Sequence, residues 1–249
     1  MIKLLMSDFK HYHKVNGEKV ANELDNSNGI VDQIKNRLNG NNAILFLASS
    51  PDDKEKISLY SKLLFEGLKL SGVYFDEYLV LDDSTVDKTE EYIDKANLIF
   101  LSGGDTYIQN EFFKRIHLRE KLEKFNGLII GQSAGAINMA DNVFNSPEEM
   151  ENSEPVFFKG LGLTNINIEP HFMVDDSNFD ESENYQRNAI LSESNNRKIY
   201  GQCNGSHILI DNDGNATIYG ETYLISNGKI SLICENGYDK EISSSCKKL

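Results

Sequence analysis

The sequence predicts an α/β protein with a mostly parallel β-sheet flanked by helices on both faces and with C-terminal β-hairpins. Three observations favour this class. Short apolar runs alternate with helical patterns through the first half of the chain, which is typical of parallel sheets. The run Ala43–Ala48 is continuously apolar, as expected of a strand covered on both faces. The last part of the chain alternates apolar and polar residues around turn sequences.

Five strands are predicted in the first half of the chain: Ile2–Met6, Ala43–Ala48, Val73–Leu81, Ala96–Gly104 and Gly127–Gly131. Helices are expected between them. Helical segments should follow the first strand, on both sides of the turn-rich cluster Asp25–Gly29. Ser50 and Pro51 are suited to begin a helix that ends near Gly72. Tyr107–Phe125 has the apolar spacing of one long helix.

The pattern changes after Ala140. Residues 141–162 are irregular and acidic, and residues 164–172 predict a short strand broken at Pro170. Glu181–Ser194 predicts a helix, and two β-hairpins are expected around the turn sequences NDGN and SNGK. Because no internal repeat and no convincing linker interrupts the chain, residues 1–249 are predicted to form one domain.

The charge balance argues against several partners. The chain has 39 acidic and 25 basic residues, for a formal net charge of −14, so we expect neither nucleic acid nor a membrane as a partner. Its three cysteines, Cys203, Cys234 and Cys246, lack the spacing of a disulfide framework or a zinc site. The sequence has no signal-peptide or membrane-spanning pattern, and a cytoplasmic location is expected.

Three loops should leave the carboxyl ends of strands, where open parallel sheets bind their ligands. They are SDFKHYH (Ser7–His13), SGGDT (Ser102–Thr106) and GQSAG (Gly131–Gly135). The last has the G-x-S-x-G pattern of a nucleophile elbow, in which a strained turn between strand and helix exposes a serine hydroxyl. The alternative is that small residues merely let a strand approach a helix closely. The pattern alone does not decide between them.

The SGGDT loop favours two roles that are compatible. Asp105 is suited to cap the helix that follows, and backbone N–H groups of the glycine turn are suited to line an oxyanion hole. The chain contains neither the P-loop pattern nor G-x-G-x-x-G, so nucleotide binding is disfavoured. We expect no cofactor and no metal.

A nucleophilic serine needs a base, and the chain has five histidines. His171, which follows a short strand and a proline, is the preferred candidate, and His207 at the start of a hairpin strand is the second. His117 lies in a charged helical segment and should face solvent. His11 and His13 form a His-x-His pair, which is a weak metal signal without a carboxylate partner.

Three segments, FLSGGDTY, GLIIGQSAGA and INIEPHF, occur in this order and resemble the peptidase E family. These S51-type serine peptidases include aspartyl dipeptidases and cyanophycinases. The resemblance runs from about residue 2 to about residue 220. It implies a fold like that of class I glutamine amidotransferases, which is flavodoxin-like. It also implies that Ser133 is the nucleophile, that His171 is its general base, and that Gly104 and Ala134 donate the oxyanion-hole N–H groups.

The third member of the implied triad is left open by the resemblance. One family carboxylate falls on Asn204 in the segment YGQCNGS. Another falls in the loop before the histidine, at Glu148 or Glu149, and this acidic pair is slightly favoured because an amide stabilises an imidazolium less well. Arg187 and Asp105 are the candidate substrate-binding residues. Asn184 replaces an arginine of the family pattern, which argues against strict aspartate specificity.

The resemblance implies a serine-type peptidase that acts as an exopeptidase or dipeptidase on small peptides, as a monomer or a homodimer. Two alternatives remain. Loss of the carboxylate at Asn204 is also compatible with a non-catalytic, amidotransferase-like binding or regulatory protein. An α/β-hydrolase esterase shares G-x-S-x-G, but the chain has no HGGG-type motif and His171 follows the serine closely.

Overall fold

The structure, a computed structural model, describes residues 1–147, 154–174 and 181–242. The strands in these ranges are β1 (Ile2–Met6), β2 (Tyr12–Val15), β3 (Glu18–Ala21), β4 (Ala43–Leu47), β5 (Glu77–Leu81), β6 (Ala96–Leu101), β7 (Leu128–Gln132), β8 (Asn142–Asn145), β9 (Val156–Lys159), β10 (Asn167–Glu169), β11 (Ile199–Gln202), β12 (His207–Ile210), β13 (Ala216–Tyr219), β14 (Thr222–Ser226), β15 (Lys229–Cys234) and β16 (Asp239–Ile242). The α-helices are α1 (Ile30–Arg37), α2 (Lys54–Leu70), α3 (Thr89–Lys95), α4 (Thr106–Arg115), α5 (Leu118–Lys121), α6 (Ala134–Ile137) and α7 (Glu181–Glu193). Among these helices none is long and apolar enough to cross a membrane.

The main sheet has eight strands in the order β16-β13-β12-β1-β7-β6-β4-β5. Its β1, β7, β6, β4 and β5 are parallel, while β12, β13 and β16 add to the edge beside β1 in antiparallel pairing. The predicted α/β class with a mostly parallel sheet and C-terminal hairpins is confirmed. Strand β1 therefore lies at the boundary between the parallel and antiparallel parts.

Helices cover both faces of this sheet because alternate strand residues point to opposite sides. Leu4 of β1 packs in the core under α1 and α2, and its neighbour Leu5 packs in the core under α3, α4 and α6. Both side chains have no exposed surface. The parallel strands are thus apolar on both faces, which explains why their sequences are continuous apolar runs.

A second sheet has the order β10-β11-β14-β15. Strand β10 pairs in parallel with β11, and the pairs β11–β14 and β14–β15 are antiparallel. The chain leaves β10 at Glu169 and reaches His171 through Pro170. It leaves β11 at Gln202 and passes Asn204 before it enters β12 of the main sheet. This sheet therefore delivers two polar side chains to the edge of the main sheet.

The helical prediction for the region after β1 was wrong. Strands β2 and β3 form a hairpin there, and its turn residues Asn16 and Gly17 have φ angles of 51° and 88°. Asn-Gly is favoured in such turns because both residues tolerate positive φ. The turn chemistry therefore overrides the helical spacing. The helix predicted after the cluster Asp25–Gly29 does form, as α1.

Several helix and strand boundaries also differ from the prediction, and the strand predicted over Ala96–Gly104 ends at Leu101. Helix α2 begins at Lys54, not near Ser50, because the Asp53 carboxylate accepts a hydrogen bond of 3.0 Å from the Lys56 N–H. The predicted strand from Val73 is confined to β5. The predicted long helix from Tyr107 is broken between α4 and α5, where His117 has a φ of 51°.

The interval predicted to be irregular, residues 141–162, contains the antiparallel pair β8 and β9. Its aromatic residues favour the pairing, since Phe144 is buried and packs against Phe157 in a tilted arrangement with ring centroids 5.6 Å apart. The helix α7 and both C-terminal hairpins lie where the sequence predicts them.

His207, the second candidate base, lies at the start of β12 and is buried completely. Its ring stacks on Tyr219 with centroids 4.9 Å apart. Neither ring nitrogen has a hydrogen-bond partner in the described part of the chain. Burial, with a smaller contribution from the charge of Arg37, lowers the pKa of His207 to about 3. The residue is therefore neutral in the fold and is not placed to act as a base.

Acidification should destabilise the protein through His207. A histidine of the unfolded chain takes up a proton near pH 6.5, whereas His207 stays neutral in the fold down to about pH 3. The unfolded state therefore binds more protons between these values, so stability is lost as the pH falls below 6.5. The contribution of His207 between pH 7 and pH 5 is about 2 kcal/mol. Urea unfolding at both pH values should show that His207→Leu loses about 2 kcal/mol less than the wild type. Equal losses would contradict the assignment.

Candidate active site

A cavity of about 580 Å³ opens at the carboxyl ends of the parallel strands. Strands β1, β4, β6 and β7 each contribute the residues that follow them. Open α/β sheets bind ligands at this edge, and the volume is that of a small-molecule site. The lining includes Asp8, Ser49, Gly104, Asp105, Gln132, Ser133 and His171.

Ser133 occupies the turn between β7 and α6 with φ 47° and ψ −112°. A residue with a Cβ atom rarely adopts a positive φ, and such strain is characteristic of functional turns. Its backbone N–H donates to the Met6 carbonyl at 2.8 Å, which holds the turn against the end of β1. The half-buried Ser133 side chain lines the cavity.

The two flanking glycines account for the close approach of strand and helix. A Cβ atom on Gly131 would lie 2.6 Å from the Ala136 nitrogen, and one on Gly135 would collide with the Leu101 carbonyl. Packing therefore requires glycine at these two positions. The close approach of strand and helix is explained by the glycines, and Ser133 stays a candidate nucleophile.

Two backbone N–H groups are available beside Ser133. Among the described residues, neither the Gly104 N–H nor the Ala134 N–H donates a hydrogen bond. Ala134 is the first residue of α6, where N–H groups have no partner within the helix. Both positions are those expected for an oxyanion hole, and the open N–H groups are compatible with that role.

The SGGDT turn is held by contacts on both sides. The Ser49 hydroxyl donates to the Gly103 carbonyl at 2.7 Å, and its oxygen fills the space that a Cβ atom on Gly104 would need. Gly104 has a φ of 144°, a region that other residues avoid. The predicted helix cap is confirmed, because the Asp105 carboxylate accepts from the Ile108 N–H at 2.8 Å.

His171 lines the same cavity, with its side chain exposed and its φ at 56°. Its ring Nδ1 is 2.6 Å from Asn204 Oδ1. Because a carbonyl oxygen only accepts, this contact requires the proton on Nδ1 and leaves Nε2 of the neutral ring as the basic nitrogen. That is the tautomer a general base needs.

Ser7, which follows β1, joins these two residues and was not among the predicted site residues. Its fully buried hydroxyl oxygen accepts from the His171 backbone N–H at 2.7 Å, and the hydroxyl donates to Asn204 Oδ1 at 3.4 Å. The hydroxyl therefore fixes the backbone of His171 and the amide that faces its ring. The predicted loop Ser7–His13 was the signal that could have found this residue.

Ser133 and His171 line the same cavity, but no hydrogen bond joins them within the described residues. Such bonds are often long in unliganded enzymes and shorten when substrate is bound.

The other predicted residues are distributed as follows. Glu148 and Glu149 lie outside the described residues. Arg187 lines a separate cavity of about 70 Å³ on the far side of His171, together with Gln186. It is thus near the histidine but not in the cavity of Ser133.

The two histidines of the first loop, His11 and His13, lie in different environments. His11 is buried and lines the large cavity, and burial lowers its pKa to about 4. His13 is exposed, and its Nδ1 lies 3.0 Å from Asn22 Oδ1. Across the described residues no group of three potential metal ligands comes together.

Comparisons with known proteins agree on one family. The family model for peptidase family S51 matches residues 17–218. A protein named Peptidase E from Streptomyces coelicolor is 31% identical over 134 residues, which cover 52% of this chain and 54% of that protein. The chain therefore matches about half the length of this curated relative.

Two solved structures show the same fold. A peptidase from an acI-B1 actinobacterium has a TM-score of 0.66 at 14% identity, with 97% of this chain and 96% of that chain covered. A candidate peptidase E protein from Listeria monocytogenes EGD-e has a TM-score of 0.56 at 18% identity, with 97% and 98% covered. These structures share the α/β fold with a mostly parallel sheet described above.

Replacing the Ser7 hydroxyl should disturb the site more than the fold. Ser7→Ala removes the acceptor of the His171 N–H, which should cost about 1–2 kcal/mol of stability and lower kcat for any substrate that needs His171. Ser194→Ala is a matched control, since buried Ser194 also accepts a backbone N–H, from Gly228 at 2.8 Å, and donates to the Leu191 carbonyl at 2.7 Å. Thermal melting and steady-state kinetics should give both variants similar stability losses, with a loss of kcat in Ser7→Ala alone. A loss of kcat in both, or in neither, would contradict a positioning role.

Proposed function

The chain belongs to peptidase family S51, and we propose that it is a serine peptidase that hydrolyses amide bonds of small peptides in the manner of an exopeptidase or dipeptidase. The observation that carries the proposal is the conformation of Ser133. A serine held at φ 47° between a parallel strand and a helix N-terminus, on the wall of a cavity, is the arrangement of an activated nucleophile. Family membership also argues against the α/β-hydrolase alternative.

In the proposed mechanism, Ser133 Oγ attacks the carbonyl carbon of the scissile amide while His171 Nε2 takes its proton. The negative charge that develops on the carbonyl oxygen is stabilised by the N–H groups of Gly104 and Ala134. His171 then gives the proton to the leaving nitrogen, and the amine departs. Water attacks the acyl-serine with His171 again as base, which releases the acid and restores the hydroxyl.

Asn204 takes the place of a triad carboxylate in this mechanism. Its Oδ1 holds Nδ1–H of His171 and so fixes the tautomer, as an asparagine does in Cys-His-Asn proteases. A neutral amide stabilises the imidazolium less than a carboxylate does. Asn204 therefore orients the His171 ring for general-base catalysis, but it stabilises the positive charge that forms on the ring less than a carboxylate would.

The size of the cavity favours short substrates. A volume of about 580 Å³ is within the range of sites that enclose most of a small molecule. A folded polypeptide does not fit such a space, whereas a peptide of two or three residues does. Arg187 lines the neighbouring small cavity. We propose that it binds a carboxylate of the substrate there.

One observation favours the second function, a non-catalytic binding protein. The residue in contact with His171 is the neutral Asn204, whereas the family resemblance implies a carboxylate there. Loss of that carboxylate is expected in a protein that no longer needs a catalytic triad. Such a protein would retain a small ligand in the same cavity and leave Ser133 unmodified. Reactivity of Ser133 separates the two functions.

Ser133 should be the only serine of the cavity that reacts with a fluorophosphonate probe. Labelling requires a serine hydroxyl activated by a base, so Ser133→Ala should remove it. Ser50→Ala is the matched control, because Ser50 lines the same cavity and has no role in the mechanism. Labelling detected by intact mass should persist in the wild type and Ser50→Ala and be absent from Ser133→Ala. Equal labelling of Ser133→Ala, or an unlabelled wild type, would overturn the assignment.

Adding a carboxylate at position 204 should increase activity. Asn204→Asp keeps an acceptor for the His171 Nδ1–H and adds a negative charge that stabilises the imidazolium, so kcat should rise by at least about tenfold. The acid limb of the kcat/KM profile should move to higher pH, because the charge favours the protonated ring. Asn204→Leu, which removes the acceptor, should lower kcat. A fall of kcat in Asn204→Asp with an unchanged pH profile would contradict the proposed orientation.

A further inference from the structure

Asp8, the second residue after β1, places a carboxylate on the wall of the cavity that Ser133 and His171 also line. The residue is half-buried. It lies immediately after Ser7, whose hydroxyl contacts the His171 backbone. Its position is therefore fixed by the same segment that holds the proposed catalytic residues.

Two hydrogen bonds fix one oxygen of the Asp8 carboxylate. Asp8 Oδ1 accepts from the side-chain amide of Gln132 at 3.3 Å and from the backbone N–H of Lys10 at 3.0 Å. Gln132 directly precedes Ser133, and all three residues line the same cavity, so a short peptide with its carbonyl at Ser133 shares this cavity with the Asp8 carboxylate. In the described chain no hydrogen bond is made by Oδ2, which leaves that oxygen for a ligand.

No cation neutralises Asp8 among the described residues. The nearby Lys10 ammonium pairs instead with Asp25 at 3.1 Å. The Lys19 ammonium lies over the rings of Tyr12 and Tyr60, which line the cavity, but it forms no ion pair with Asp8 in the described structure. A half-buried carboxylate without a counter-charge is costly unless a cation binds to it.

The charges of the cavity wall do not neutralise Asp8 either. Lys56 pairs with Asp53 at 3.3 Å, and its side chain is 65% exposed. His11 is neutral above about pH 4, since burial lowers its pKa to about 4. Asp105 adds a second negative charge to the lining. The cavity is therefore suited to a substrate that carries a positive charge.

We propose that Asp8 is a specificity-determining residue that binds an ammonium group of the substrate while the scissile carbonyl lies at Ser133. The inference rests on the proposed function for the position of the scissile bond. Two groups have this chemistry, the free α-amino group of a small peptide and the side-chain ammonium of a lysine residue. A carboxylate beside the reacting centre selects either over an uncharged analogue by charge-assisted hydrogen bonds.

Binding to a Ser133→Ala background tests the proposal without requiring turnover. Isothermal titration calorimetry would use three probes: Ala-Leu, N-acetyl-Ala-Leu and N-acetyl-Lys-Leu. At least one of the two probes that carry an ammonium should bind roughly tenfold more tightly than N-acetyl-Ala-Leu. Tighter binding of Ala-Leu would identify the α-amino group as the ligand of Asp8, and tighter binding of N-acetyl-Lys-Leu would identify the lysine side chain. Adding Asp8→Asn should abolish this advantage. Asn retains the Oδ1 acceptor, so the contacts to Gln132 and Lys10 are preserved.

Asp94→Asn in the same background is the matched control, because exposed Asp94 lies on α3, outside the cavity lining. It removes the same charge and should leave the advantage intact. Added salt should weaken binding of the ammonium probe in the protein with Asp8 and have little effect on the acetylated one. Equal affinity for all three probes, no binding of any probe, or an advantage that survives Asp8→Asn would overturn the proposal. If binding depends on Asp8 but the wild-type protein cleaves no peptide, the role of Asp8 is supported and the proposed peptidase function is refuted.

Discussion

The end of strand β1 is the constraint on which the site depends. The Met6 carbonyl accepts the N–H of Ser133, and the hydroxyl of the next residue, Ser7, accepts the N–H of His171. Two residues that follow strands of different sheets are thereby held by Met6, the last residue of β1, and by Ser7, the residue after it. Strand β1 lies between β7, which precedes Ser133, and β12, which follows Asn204. The end of β1 therefore lies beside both segments of the site.

These contacts also hold backbone conformations that are unfavourable by themselves. Ser133 and His171 both have positive φ angles, and each such residue costs on the order of 1–3 kcal/mol. Burial of the apolar strands on both faces of the main sheet offsets this cost. The Ser133 N–H is bonded to the last residue of β1 and the His171 N–H to the residue after it, so both strained residues are held next to the well-packed centre of the sheet.

Much of the main sheet can be predicted from the sequence, since buried parallel strands are continuous apolar runs and tight turns mark the C-terminal hairpins. The β2–β3 hairpin was missed because its Asn-Gly turn overrides a helical pattern, and the break at His117 has no signal of its own. Motifs name Ser133 and His171 as candidates, but the partner of His171 depends on tertiary contacts. The roles of Ser7 and Asp8 depend on contacts with His171, Asn204 and Gln132. These residues are distant in the sequence, so spacing along the chain does not reveal the contacts.

The most direct test of this account is a crystal structure of the protein with a dipeptide boronic acid that carries a free amino group. The account predicts a covalent bond between boron and Ser133 Oγ. One boronate oxygen should lie about 3 Å from the nitrogen atoms of Gly104 and Ala134, and His171 should lie within hydrogen-bond reach of the adduct. A boronate bonded to another residue, or bound in the cavity with Ser133 unmodified, would contradict it.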